Sequence, residues 1–225
     1  MAQSLSLGGL AIDGGFASKV CAMTSSHYCT AERQYRSPLE YGSQRTPTAQ
    51  WTATGSGAVL VGENSPGPYI THITVGKIMD WGVKDANNMG AAMAPAAYDT
   101  LKTHFSDTGR KPSDYDLIVT GDLGLLGMQL VRELFREDGI ALDRNYRDCG
   151  VMLFDLNKQD VHCGASGCGC SAIVLAGFLL PEMRKGTFDR ILFCGTGALH
   201  SPVALGQGES IPGICHAVAL SNAKE

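Results

Sequence analysis

The stretch DLIVTGDLGLLGMQLVRELFRE (116–137) decides the fold class. Its first five residues, DLIVT (116–120), read as a short buried strand. Residues 123–137 then read as an amphipathic helix, with Leu126, Leu130 and Leu134 in one row beside Val131 and Phe135. Working outward, RILFCG (190–195) and GICHAVA (213–219) read as further strands. Residues 171–185 read as a mostly apolar helix, with Pro181 near its end and Gly186 after it. Residues 86–105 read as a helix carrying Met89, Met93, Ala97, Leu101 and Phe105, interrupted by Pro95. Strands separated by helices of this size make βαβ units and a partly parallel sheet, an α/β fold.

Upstream, residues 2–13 read as a helix with Leu5, Leu7, Leu10 and Ile12 apolar, stopped by Gly14-Gly15. KVCAMTS (19–25) reads as a buried strand. SGAVLVG (56–62) and YITHITV (69–75) read as an antiparallel hairpin joined by ENSPGP. Residues 26–53 show neither a helical nor a strand period. A second unit is expected to begin near residue 83.

The 225 residues carry 18 Lys and Arg against 22 Asp and Glu, a net charge of −4, with 44% apolar residues. That balance is ordinary for a folded domain and argues against a disordered chain and a nucleic-acid binder. Eight cysteines, several in apolar runs such as Cys21 and Cys194, read as buried small hydrophobes in a reducing compartment rather than as a disulfide framework. The longest apolar run, AIVLAGFLLP, is half of what crosses a bilayer, which takes roughly 18–20 residues. No signal peptide and no membrane anchor are read in the chain.

Three segments carry candidate chemistry. SSHYCTAERQYRSPLEYGSQR (25–45) concentrates hydroxyl, aromatic and guanidinium groups, among them Ser25, His27, Tyr28, Arg33 and Arg36. Arginine forks bind carboxylates and flat rings stack on aromatic ligands, so this loop suits a planar polycarboxylate. It suits equally a solvated excursion or a subunit contact. DVHCGASGCGCSAI (160–173) feeds a helix start, where the backbone of Gly167, Cys168 and Gly169 offers N–H groups to an anion; the small residues would also let the turn approach neighbouring strands. Its Cys168-x-Cys170 spacing is not that of a zinc knuckle, and no metal is expected. TGDLGLLG (120–127) lies at the C-terminal end of a strand, the ligand-binding edge of α/β sheets, with Asp122 also placed to cap the following helix. His200, in CGTGALHSP (194–202), follows a strand and a Gly turn and reads either as a surface hydrogen-bonding residue or as a member of the site. His72 and His216 alternate with apolar residues and read as packing.

The stretch from LAIDGG (10–15) through SGAVLV (56–61), DLIVTGDLGLLG, and DVHCGASGCGCSAIVLAGFLLPEMRKGTFDRILFCGTGALHSP together resemble the stage V sporulation protein AD family, thiolase-like proteins of endospore formers. The resemblance runs along essentially the whole chain. It implies a thiolase-like fold of two similar halves: residues 1–82 the remainder of an N-terminal half-domain, and residues 83–225 a complete C-terminal one. It implies that the family extends further at its N-terminus, and that Met1 falls a few residues after the reactive cysteine of thiolase-like proteins. The chain is accordingly expected to be a truncation, a late start or one piece of a split protein.

The resemblance also implies a function. The family takes part in moving dipicolinic acid (pyridine-2,6-dicarboxylate) into the forespore. It does so as a binding component of a membrane channel complex, in the cytoplasm of the mother cell or forespore and peripheral at the spore inner membrane. Implied partners are dipicolinic acid, free or as its calcium chelate, the membrane subunits of that complex, and a second copy of the chain; no cofactor and no nucleic acid are implied. Condensing relatives use a cysteine, a histidine and a histidine or asparagine. Their His turn aligns near Gly121-Asp122 and their Asn turn near Cys168, so a non-catalytic scaffold is expected. An acyl-CoA condensing or thiolytic enzyme is the alternative.

Overall fold

The computed structural model describes residues 1–35, 45–63, 66–142 and 144–224, with the side chains of 32–35 left out. In chain order the elements begin with α1 (Ala2–Asp13), β1 (Lys19–Ser26), α2 (Tyr28–Tyr35), β2 (Trp51–Thr52), β3 (Gly55–Gly62) and β4 (Tyr69–Thr74). They continue with α3 (Met89–Thr108), β5 (Leu117–Thr120), α4 (Gly124–Glu137), β6 (Tyr146–Asp148), α5 (Cys149–Leu153), β7 (Ala165–Ser166) and α6 (Cys168–Val174). A π-helical turn (Leu175–Leu179) leads into α7 (Leu180–Arg184), followed by β8 (Arg190–Ala198), α8 (Pro202–Gly206) and β9 (Gly213–Ser221).

Five strands form the main sheet in the order β4-β9-β8-β5-β6. β5 runs parallel to both β6 and β8, while β9 is antiparallel to β8 and β4. The sheet thus takes in β4 from the segment assigned to the first half. Both faces are covered, and the side chains alternate accordingly. Ile118, Leu192, Cys194, Ala217 and Ala219 join Met93, Leu101, Phe105, Val131 and Phe135 of α3 and α4 on one face. Leu117, Val119, Ile191, Phe193, Val218 and Leu220 join Leu5 of α1 and Val174, Leu175, Leu179 and Met183 of the π-interrupted helix on the other. Each fully buried aliphatic or aromatic side chain stabilises the fold by roughly 1.5–3 kcal/mol. This two-sided burial explains why the strands here read as short apolar runs.

Several expectations need correction. The strands β3 and β4 do not form a hairpin: β3 pairs with β1 over eight residue pairs, and β4 pairs with β9 in the other sheet. A short connection permits a hairpin but does not exclude partners brought in from afar. Pro95 does not interrupt α3, which runs unbroken with Pro95 buried; tertiary packing of Met93, Ala96, Ala97 and Leu101 outweighs one lost backbone bond. The aperiodic segment contains α2, whose Ala-Glu-Arg-Gln run has helix propensity without amphipathic spacing. Cys21 is exposed on β1, as are Cys29 and Cys168; Cys149, Cys163, Cys170, Cys194 and Cys215 are buried, and all eight are free thiols. Among the described residues no helix is long and apolar enough to cross a membrane.

Candidate functional site

A cavity of about 860 Å³ opens where α1, the end of β1, the end of β8 and the turns before α4 and α6 meet. Its lining is rich in small hydroxyl side chains and includes His27, His200 and His216. The loop after β5 supplies Asp122, the glycine turn supplies Gly167 and Cys168, and β8 supplies Gly195 and Thr196. Ser25, His27, Asp122, Gly167, Cys168 and His200, expected from four distant segments, therefore share one cavity.

Asp122 ties the floor together. Its Oδ2 accepts from the Gly167 backbone N–H at 2.9 Å, and its Oδ1 accepts from the Thr196 hydroxyl at 2.9 Å. Thr196 Oγ1 accepts in turn from the Asp122 N–H at 3.0 Å. Burial pushes the Asp122 carboxyl above the ordinary aspartate range, against the pull of those two donors. Behind it, the buried Gln50 amide donates to the carbonyls of Asp122 and Ala165, both at 2.8 Å, fixing the loop to β7.

Asp122 is not the cap of α4. That role belongs to Asp148, whose two oxygens accept from Leu123 N–H and Gly124 N–H, both at 3.0 Å, and also from Gly150 N–H and the Thr120 hydroxyl. The cap arrives from 25 residues downstream, so no local pattern announces it.

The glycine turn does let strands approach, and the N–H groups of Gly167 and Gly169 are engaged inside the chain. Gly169 N–H donates to Ser26 Oγ at 2.9 Å, and that hydroxyl donates to the Ala53 carbonyl at 2.7 Å. A Cβ at Gly169 would stand 2.6 Å from the Gly55 carbonyl, which leaves room only for glycine. With Gly167 bonded to Asp122, the expectation that Gly167 and Gly169 hold a ligand anion is corrected: their donors are taken by Asp122 and Ser26. Gly169 is not on the cavity lining.

Tyr28 is also turned to internal use. Its ring stacks on Trp51 at 4.6 Å and 19°, with the Arg45 guanidinium over the same indole at 4.8 Å. Arg45 pairs in addition with Asp160. Arg36 lies outside the described residues, as does the side chain of Arg33. His200 Nε2–H donates to the Ala86 carbonyl at 2.9 Å, and burial lowers its pKa. His216 was read as packing; instead it lines the cavity from β9, accepts the Gly76 N–H on Nδ1 at 3.2 Å, and is likewise lowered by burial. Thr196, Gln50 and Ser26 escaped the sequence reading, because isolated hydroxyl and amide residues carry no spacing signal. No three His, Cys, Asp or Glu side chains among the described residues are grouped to hold a metal.

Solved structures show the same fold. The chain superposes on 3-oxoacyl-[acyl-carrier-protein] synthase III of Aquifex aeolicus with a TM-score of 0.55 at 13% identity, covering 97% of this chain and 63% of that one. The corresponding enzyme of Pseudomonas aeruginosa gives 0.55 at 14% identity, covering 96% and 62%. The fold is thus the thiolase-like α/β fold. The family model for stage V sporulation protein AD (SpoVAD) matches residues 1–221. Stage V sporulation protein AD of Bacillus subtilis is 44% identical over 221 residues, which span 98% of this chain and 65% of that protein. The chain belongs to the stage V sporulation protein AD family.

Proposed function

We propose that this chain is a non-catalytic binding protein of sporulation whose cavity takes dipicolinic acid for its transfer into the forespore. The observation that carries the reading is the cavity itself. At about 860 Å³ it lies within the range of small-ligand sites, roughly 300–1,000 Å³, and its lining of Ser, Thr, His and one Asp suits a planar polar ring. On the family resemblance, Asp122 and Cys168 stand where condensing enzymes carry His and Asn, and both line this cavity. Acyl transfer needs a nucleophile next to a base and a donor pair for the oxyanion. Here the nearby Gly167 N–H is committed to a carboxylate, which disfavours an oxyanion at that place. Attachment to the membrane subunits of a channel complex completes the reading.

Calorimetric titration of dipicolinate, with benzoate as control, tests it. Saturable binding of the dicarboxylate alone is expected. Cys168, exposed on the lining, serves the competing reading of a condensing enzyme. If iodoacetamide labelled Cys168 far faster than the other thiols, and acyl-CoA acylated it, the enzyme reading would replace this one.

A further inference from the structure

The floor of the cavity is acidic. Asp122 faces it with both carboxylate oxygens already accepting one bond each, from Gly167 N–H and from Thr196 Oγ1. Each oxygen retains a further lone pair. Among the described lining residues none is Lys or Arg. Two donors of the turn that would seat a ligand carboxylate, the Gly167 and Gly169 N–H groups, are taken by the chain's own Asp122 and Ser26. A bare dianion reaching this floor meets a buried carboxylate of the same sign, and two carboxylates in contact cannot both remain ionised cheaply. One proton shared between them removes the repulsion and turns it into a strong hydrogen bond.

Resting on the dipicolinate reading above, we propose that Asp122 makes binding proton-coupled. The cavity takes the dicarboxylate together with one proton from solvent, held between Asp122 and the ligand carboxyl at the floor. Asp122 is therefore a specificity residue: it selects a ligand whose inner end is an uncharged hydrogen-bond donor. Other titratable groups surround it. Asp148 and Cys149 lie behind the turn, Cys170 on α6, and Cys168, His27, His200, His216 and the Met1 amino group on the lining. Asp148 is the second carboxyl of this cluster, and the nearby Asp122 helps burial raise its pKa to about 7. Asp148, the histidines and the amino group are the competing proton acceptors, and the experiment separates them from Asp122.

Dipicolinate is titrated calorimetrically at pH 7.5 into the native chain in buffers of differing ionisation enthalpy, and the slope of heat against that enthalpy counts protons. Uptake near one proton is expected for the native chain, and uptake near zero for Asp122→Asn, with affinity for the dianion about tenfold higher. Asp122→Ser, which likewise removes the carboxyl, provides the same test should the amide disturb folding. Native binding without proton uptake overturns the inference and leaves the dipicolinate reading standing. Uptake that persists in both variants assigns the proton to Asp148, the histidines or the amino group and also overturns it. Binding by neither native chain nor variants removes the dipicolinate reading, and this inference with it.

Discussion

At the scale of single residues, Asp148 shows how one buried charge organises a turn. Its carboxylate receives four donors, three backbone N–H groups and the Thr120 hydroxyl. Desolvation nevertheless raises its pKa to about 7, with the nearby Asp122 adding to the rise. Asp148→Asn replaces one accepting oxygen by an amide that points two hydrogens at existing donors. Each buried donor left unpaired costs roughly 1–3 kcal/mol, so a loss of about 3 kcal/mol is expected. Urea denaturation monitored by circular dichroism measures it; an unshifted midpoint would show that the turn is held by something else. In the sequence, Asp122 sits where a cap is expected and Asp148 does not, so reading the cap required knowing that β6 lies beside β5.

Between elements, a chain of polar side chains ties β4, α3 and the connection that leads into β5. The Thr74 hydroxyl meets His104 Nδ1 at 2.7 Å, His104 Nε2 meets the Tyr115 hydroxyl at 2.5 Å, and Arg110 donates to that hydroxyl at 3.2 Å. Both imidazole nitrogens thus meet hydroxyls, each of which can donate or accept, so a neutral ring satisfies both contacts. The imidazole is therefore neutral in the fold. Burial, helped by His72 and Arg110, lowers its pKa to about 4. An unfolded histidine titrates near 6.5, so between those values only the unfolded chain binds the proton. Stability from this group is complete above about pH 6.5 and declines as the pH falls toward about 4. His104→Gln is expected to flatten that part of the profile, which urea midpoints at pH 7 and pH 5 would reveal.

The contact of α6 with β3 is a second joint between elements. A Cβ on Gly57 would lie 2.3 Å from the Ala172 carbonyl, so Gly57→Ala forces the helix off the strand. Overpacking of this kind costs typically 1–3 kcal/mol, and a lower melting temperature is expected. An unchanged melt would mean that the helix can slide at no cost.

Over the whole molecule, three sheets, the pairs β1-β3 and β2-β7 and the five-stranded one, contribute with the turns between them to one cavity, and ligand binding should report on all of it. At 100 times the dissociation constant, a ligand specific for the native state adds about 2.7 kcal/mol. For a chain of this size that corresponds to a rise in melting temperature of roughly 5–10 °C. Dipicolinate is expected to produce such a shift and benzoate is not; equal shifts for both would indicate non-selective anion binding.

The sequence by itself determined the α/β class. Apolar runs such as LIVT and ILFC are legible because both faces of the main sheet are covered, and the 124–137 helix is legible because only one of its faces is. It also carried the family, and it brought forward Asp122, Gly167, Cys168 and His200, which stand beside Gly-rich turns at strand ends. Tertiary structure alone decided the strand partners, since β3 and β4 have the same alternation whether they pair with each other or with β1 and β9. It alone decided how the polar groups are spent: Asp122 on Gly167 and Thr196, Asp148 on α4, Tyr28 on Trp51. Periodicity records which side of an element is buried. Hydrogen bonds between segments tens of residues apart leave no period, and they fix what the cavity offers a ligand.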